Sequence, residues 1–371
     1  TLTTRMNSGQ DLYIGLMSGT SSDAIDAALV QFSDSGCELL STLAATLDAP
    51  IVDRIQRAVD GTADRINDIS ELDALLAQAF ADTALRLKAQ ARVDQITAIG
   101  SHGQTVRHRP GGCLPYTVQL GSGSRIAALT GITTVSDFRT ADLALGGQGA
   151  PLVPAFHRAV FSHPDENRVI VNIGGIANAT VLHRKDRLSG FDTGPGNTLM
   201  DHWFRQHQPG AYDENGTWAQ SGNNLPKLLS ALLEHDYFSR PLPKSTGLEE
   251  FNLDWLSTCL IGNERPEDVQ ATLVELTVES ISQSIKTNVP ATDAVYLCGG
   301  GANNEYLVNQ LGNRLVPLPL YTSDRLGLPV DWVEAVAFAW FAKERLKNRP
   351  TNCPEVTGSS RELALGAVYL G

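Results

Sequence analysis

The two commonest nucleotide signatures are missing from this 371-residue chain, which has no Gly-x-Gly-x-x-Gly and no Gly-x-x-x-x-Gly-Lys-Ser/Thr. The nearest approach to the second, Lys244-Ser245-Thr246, lacks its upstream glycine. Cysteines are few: five, scattered, and never in a Cys-x-x-Cys or Cys/His zinc spacing, so a reducing compartment is expected. No apolar run approaches the ~18 residues of a membrane helix. The opening residues, TLTTRMNSGQD, hold no signal-peptide core, and the expectation is a cytoplasmic protein without membrane association. Basic residues are in deficit, 29 Lys plus Arg against 41 Asp plus Glu for a net charge of -12. That is the wrong sign for a phosphate-backbone binder, so no nucleic-acid partner is expected. With 19% charged and 42% hydrophobic residues, disordered and fibrous classes are out. A globular chain of roughly two domains' length remains.

From Leu12 three apolar strands follow one another, LYIGLM, AIDAALVQF and CELLSTLAAT, the first two joined by the small polar turn SGTSSD. A long amphipathic helix is expected from Asp64 to Gln90, with Ile69, Leu72, Leu75, Leu76, Phe80 and Leu85 near helical spacing. Strand ITAIGSH, strand YTVQL, helix SRIAALTG, strand ITTVSD and a helix beginning near Pro151 come next. At Asn167 the grammar restarts, with strands RVIVNI, ATVLH and RLSGFDT, then helices near 197–207, 224–235 and 266–286. Strand AVYLCGG, a helix from Asn303, a strand near 318–321 and a last helix from Trp332 complete the second half. Both halves can be written strand-strand-strand-helix-strand-helix-strand-helix, without residue-by-residue similarity. The fold class is α/β: two duplicated βββαβαβα domains, 1–140 and 141–371, with an interdomain cleft as the ligand site. The last helical segment is free to pack back on the first domain.

The chemistry gathers in turns at strand ends. Ser18-Gly19-Thr20-Ser21-Ser22-Asp23 offers backbone N–H groups and hydroxyls that could cradle a phosphate tail; an ordinary hairpin is the alternative. Gly174 and Gly175, in Asn172–Asn178, occupy the equivalent place in the second half. Cys298-Gly299-Gly300-Gly301-Ala302-Asn303 ends a strand and opens a helix, so the backbone can approach a flat ring or a phosphate closely. Phe191-Asp192-Thr193-Gly194 mimics an aspartic-protease triplet, but those enzymes pair two carboxylates from all-β lobes or identical subunits. Asp192 stands instead at a strand's C-terminal edge, able to orient a hydroxyl or abstract a proton; capping a turn is its other reading. His102, in GSHGQT, reads as structural or catalytic. Arg139 suits a substrate carboxylate as well as an ion pair with Asp137 or Asp142. Glu334, three residues after Asp331, fits position N3 of a capping box or an acceptor for sugar hydroxyls.

Together, GLMSGTSSDAIDAALV, GSHGQT, SDFRTADLALGGQGAPLVPAFH, NIGGIAN, GFDTGPGN, PKSTGLEEFN, CGGGANN and DWVEAVAFAWFA resemble the anhydro-N-acetylmuramic acid kinase family, in one order over almost the whole chain. That family belongs to the sugar kinase/Hsp70/actin superfamily, whose domains are actin/hexokinase-like and ribonuclease-H-like. The resemblance implies an ATP-dependent kinase that opens 1,6-anhydro-N-acetylmuramic acid with water and phosphorylates O6. The products are N-acetylmuramic acid 6-phosphate and ADP, in peptidoglycan recycling. By the same resemblance Gly19, Thr20, Ser21, Ser22, Asp23, Ala24, Ile25 and Asp26 form the ATP turn. Asp192 is the general base, and His102, Arg139 and Glu334 surround the sugar. Gly174, Gly175, Gly299, Gly300 and Gly301 are assigned to the nucleotide. Mg²⁺ is expected with it, Asp23 being a candidate contact through water. Ala24 departs from the family, which usually has Gly there, so the turn must avoid positive φ at that residue or shift. The partner is the small anhydro-sugar, and a homodimer is compatible with the reading. Another sugar kinase, or an actin- or Hsp70-like nucleotide switch, would share the architecture.

Overall fold

The computed structural model describes residues 11–19, 24–33, 36–63, 65–184, 187–242, 244–247 and 250–371. The chain forms two compact units, Thr1–Leu152 with Glu334–Pro354 and Ser359–Gly371 (unit 1), and Val153–Val333 with Glu355–Gly358 (unit 2). The first elements are β1 (Leu12–Met17), β2 (Ala24–Ser33), β3 (Gly36–Thr46), α1 (Ala49–Val59), α2 (Ile66–Ala91) and β4 (Ala98–Ser101). Next come β5 (Gln104–Arg109), β6 (Tyr116–Leu120), α3 (Gly123–Thr130), β7 (Thr134–Ser136) and α4 (Thr140–Ala144). Unit 2 opens with α5 (Val153–Phe161), β8 (Arg168–Ile173), β9 (Ile176–Leu182), β10 (Leu188–Pro195) and α6 (Thr198–His207). It continues through α7 (Thr217–Ser221), α8 (Pro226–Leu233), α9 (Asp236–Ser239), α10 (Leu253–Cys259) and α11 (Pro266–Asn288). The remaining elements are β11 (Ala294–Cys298), α12 (Glu305–Leu315), β12 (Leu320–Thr322), α13 (Val333–Leu346), α14 (Pro354–Thr357) and β13 (Ala367–Tyr369).

In unit 1 the sheet order is β3-β2-β1-β4-β7-β13, and in unit 2 it is β10-β9-β8-β11-β12. Each begins as an antiparallel three-strand meander, to which two later strands add in parallel. Leaving aside β13, both orders read 3-2-1-4-5 with the second strand reversed. This is the duplicated, ribonuclease-H-like βββαβαβα plan that the sequence led us to expect.

The central strand β1 is apolar on both faces because both are covered. Ile14 and Leu16 face a cluster completed by Leu72, Leu76, Phe80, Ala84 and Leu87 of α2. On the other face Gly15 pairs in register with Gly100 of β4. A Cβ on Gly15 would lie 1.7 Å from the Ala335 carbonyl oxygen, and one on Gly100 would lie 1.9 Å from that of Phe338. The two glycines therefore let α13 rest directly on the sheet. Its run Ala335–Ala342 is buried on every side, as an all-apolar helix must be. In unit 2 Val169, Val171 and Ile173 of β8 and Val295 and Leu297 of β11 pack with Leu273, Leu276, Ile281 and Ile285 of α11.

Some sequence expectations need correction. The buried stripe of α2 omits Leu75 and Leu85, which are 41% and 38% exposed because they lie off the 72/76/80/84/87 face. The YTVQL strand, β6, pairs only with β5 in a separate hairpin. Helix α1 was not anticipated, although Ile51, Ile55 and Ala58 recur at helical spacing behind Pro50. Helix α5 begins at Val153, two residues after Pro151. Among the described residues no helix is long and apolar enough to cross a membrane.

Candidate active site

Unit 1 carries the predicted ATP turn and part of the predicted sugar site. Thr20, Ser21, Ser22 and Asp23 lie outside the described residues. The turn's flanks are tied to Gln104 at the start of β5. The buried Ser18 Oγ lies 2.7 Å from Gln104 Oε1, and Gln104 Nε2 donates to the Gly19 carbonyl at 3.3 Å. A Cβ on Gly19 would meet no atom of the described residues within 4 Å. Ala24 is the first residue of β2, paired with Thr46, and is not among the non-glycine residues of positive φ. Extended backbone thus accommodates Ala where the resembled family has Gly. Ile25 is buried in the core, so only its backbone is left to the turn, while Asp26 pairs with Met17 at the end of β1.

His102 follows β4 and is buried, its ring 4.7 Å from that of Phe338. Its Nε2 accepts from Arg139 Nε at 3.1 Å and lies 2.8 Å from Nη2. A guanidinium only donates, so the ring proton resides on Nδ1, which donates to the Gly103 carbonyl at 2.8 Å. Burial, then the charge of Arg139, holds this imidazole well below its ordinary pKa, and it stays neutral. Arg139 Nη1 also donates to the Gly149 carbonyl at 2.6 Å. The buried Asp142 accepts from Gly149 N at 2.8 Å, and Asp137 Oδ1 accepts from Thr140 N at 3.4 Å. Glu334 is half-buried in the first turn of α13. That helix begins at Val333, so the expected Asp331/Glu334 capping box is out of step; Asp331 Oδ1 accepts from Asn303 Nδ2 at 2.7 Å instead.

In unit 2 Asp192 lies near the end of β10 and is only 7% exposed. Cross-strand pairing sets it opposite Asn178, Asn178 opposite Asn172, and Asn172 beside Cys298, a polar row across four strands. The Thr246 amide donates to Asp192 Oδ2 at 3.0 Å and fixes the carboxylate. Burial, followed by Arg240, lowers the pKa of neighbouring Lys244, with Asp192 opposing the shift.

The glycine turns of unit 2 meet around Asn197. The Gly174 carbonyl accepts from Asn197 N at 2.8 Å, and the Gly175 carbonyl from Gly196 N at 2.9 Å and Thr198 N at 3.2 Å. Those carbonyls serve the fold, so what the turn can offer a phosphate is its amides. Gly299 has φ 79°, and a Cβ there would lie 2.3 Å from Asn172 Oδ1; at Gly301 it would lie 2.3 Å from Ile173 Cγ2. Gly300 alone is unconstrained, its nearest neighbour being Asn197 Nδ2 at 3.9 Å. The run opens a 3₁₀ turn, Gly300–Asn303, and α12 starts only at Glu305, capped by Asn304. Sequence reasoning gave no role to Gln104, Tyr237 or Thr246, because each reaches its partner across tens of residues.

One group of three possible metal ligands stands among the described residues, His235, Asp236 and Glu250. Arg240 already bonds both carboxylates, and His235 Nδ1 accepts from Tyr237 N at 3.2 Å. A guanidinium-neutralised set with an imidazole does not fit Mg²⁺, which takes oxygen ligands.

Duplicated sheets of this order form the actin- and hexokinase-like fold class. The sequence comparisons narrow the class. The family model described as anhydro-N-acetylmuramic acid kinase matches residues 11–371. The anhydro-N-acetylmuramic acid kinase of Coxiella burnetii is 48% identical over 367 residues, covering 98% of each chain. That of Saccharophagus degradans is 47% identical over 366 residues, covering 96% of this chain and 98% of its own. The chain belongs to the anhydro-N-acetylmuramic acid kinase family, and its activity is that of a kinase, an ATP-using phosphotransferase.

Proposed function

We propose that this chain opens 1,6-anhydro-N-acetylmuramic acid with water and phosphorylates O6 from ATP, giving N-acetylmuramic acid 6-phosphate and ADP in the cytoplasm. The family match over residues 11–371 carries the reading, since it spans the segments holding Arg139 and Asp192. Five free cysteines support the reducing location. Asp192 takes a proton from a water whose oxygen attacks C1. The C1–O6 bond breaks, O6 bonds to the γ-phosphorus, and the bond from that phosphorus to ADP breaks. The water's second hydrogen stays on the new C1 hydroxyl, and the proton on Asp192 passes to solvent.

Arg139 takes the lactyl carboxylate that distinguishes muramic acid. Neutral His102 supports this role, because it holds the guanidinium without adding a competing positive charge. Glu334 accepts sugar hydroxyls. The turn around Gly19, the Gly174–Gly175 amides and Gly299–Gly301 take the nucleotide. Mg²⁺ supplies neutralisation of phosphate charge when it enters with ATP, and Asp23 is the residue proposed to reach it through water.

ADP release, followed with the anhydro-sugar, N-acetylmuramic acid, N-acetylglucosamine, glucose and no sugar, tests the reading. Turnover should require the anhydro-sugar, and the first product seen by early-time NMR should be the α-anomer, because direct displacement inverts C1. Slow ATP hydrolysis indifferent to every sugar would indicate a nucleotide switch, and preference for a free sugar another kinase. Initial β-anomer would remove direct displacement.

A further inference from the structure

Asp192 sits at an irregularity, for the register between β10 and β9 slips between Asp192 and Gly194. Thr193 is the extra residue there, and β10 is the edge strand of its sheet, so the backbone groups of Asp192 can take partners outside the ladder. Three groups of Asp192 are met by one segment, Tyr237–Thr246. Its N–H donates to the Lys244 carbonyl at 3.1 Å. Its carbonyl accepts from the Tyr237 hydroxyl at 2.6 Å, and its Oδ2 from the Thr246 amide at 3.0 Å.

Tyr237 is fully buried, and two cations lie over its ring. Lys244 Nζ lies 4.6 Å from its ring centroid and Arg240 Cζ 5.3 Å. Lys244 Nζ also donates to the Tyr237 carbonyl at 3.2 Å and lies 3.4 Å from that of Phe238. Arg240 Nη2 donates to Glu250 Oε1 at 2.6 Å, and Glu250 Oε2 accepts from Thr246 Oγ1 at 2.5 Å. Burial, then the carboxylates of Asp192 and Glu250, push the phenol far up, so it remains a donor throughout the working range. A phenylalanine would fill the same space and keep both cation contacts; only the bond to the Asp192 carbonyl distinguishes tyrosine here.

We propose that Tyr237 is a positioning residue, whose hydroxyl holds the Asp192 carbonyl next to the bulge and thereby the direction in which the carboxylate meets water. This rests on the reading of Asp192 as general base. The experiment is a double-mutant cycle in the full chain, with Tyr237→Phe, Asp192→Asn and the pair, each checked for folding. Tyr237→Phe should lower kcat by about 10- to 100-fold, the scale of a small misplacement of a reacting group. KM for ATP and for the anhydro-sugar should stay within about twofold, since neither ligand's ground-state contacts change. In the Asp192→Asn background the second substitution should cost nothing more, because the aim of a group that cannot take the proton no longer matters.

Equal losses in both backgrounds, or unchanged kcat in Tyr237→Phe, overturn the proposal while leaving Asp192 as base. Near-normal turnover by Asp192→Asn is a different result: it removes the base and the positioning role together. Should Tyr237→Phe not fold, Lys244→Met carries the test, since it removes the ammonium that holds the ring. A lowered kcat with both KM values retained supports the clamp, and an unchanged kcat overturns it.

Discussion

Arg139 is held by a histidine that burial and the guanidinium keep neutral, and its proposed role is to take the lactyl carboxylate. Arg139→Ala should lower kcat/KM for the muramic substrate by about 10- to 100-fold, roughly 1.5–3 kcal/mol for a charged hydrogen-bonded contact. ATP binding should hardly move. Calorimetric titration with each ligand checks this; equal losses for both, or loss of folding, would assign Arg139 to internal structure. Gly19 allows a cleaner separation, because among the described residues no atom stands within 4 Å of an added Cβ. Gly19→Val should leave stability within about 0.5 kcal/mol and weaken ATP binding, as measured by equilibrium dialysis. Unaltered ATP affinity in the folded variant removes the phosphate role. The place of Asp192 at a strand's end was legible in the sequence because a carboxylate before small residues there is a local pattern. Its partners were not. Tyr237 and Thr246 lie 45 and 54 residues away, and nothing short of the folded packing brings them to it.

At the scale of elements, the contact between α13 and the sheet depends on two hydrogens. Gly100→Ala would drive a methyl into the Phe338 carbonyl, a backbone atom that cannot swing aside. The expected cost is about 3 kcal/mol or more, read as a lowered urea midpoint. A midpoint equal to that of the parent would mean that α13 stands off the sheet. Gly300→Ala is the control, since its Cβ would meet nothing nearer than 3.9 Å. The order of strands along the chain was readable, β13 excepted, because most strands are short apolar runs bounded by small polar turns. Helix α1 was hidden by its charged residues, Asp53, Arg54 and Arg57, which dilute a stripe with only two buried residues, Ile55 and Ala58. The separate β5–β6 hairpin was hidden because alternation along a strand does not say which neighbour it will choose.

For the whole molecule, buried neutral histidines set the response to acid. His157 is completely buried, with Nδ1 2.9 Å from Thr180 Oγ1, and burial pushes it from the ordinary 6.5 down to about 3. His108 is pushed to about 4 by burial and then by Arg139. Between these values and 6.5 the unfolded chain binds protons that the folded chain refuses. The stability they contribute is complete above about pH 6.5 and is lost as pH falls towards 3. The melting temperature should therefore drop between pH 7 and pH 4. The drop should be smaller in His157→Phe/Thr180→Val, which removes both partners of the bond; an identical pH slope would absolve His157. The glycine-lined face under α13 has a further consequence, in the order of synthesis. Unit 1 is interrupted, so the helix that covers β1 and β4 leaves the ribosome only after all of Val153–Val333. At about 5–20 residues per second that delay is roughly 10 to 40 s. During it the nascent first unit carries a bare apolar strip, while the second can already close its own core. The usual N-terminal-first sequence of domain completion is thus reversed, and the first unit is finished last.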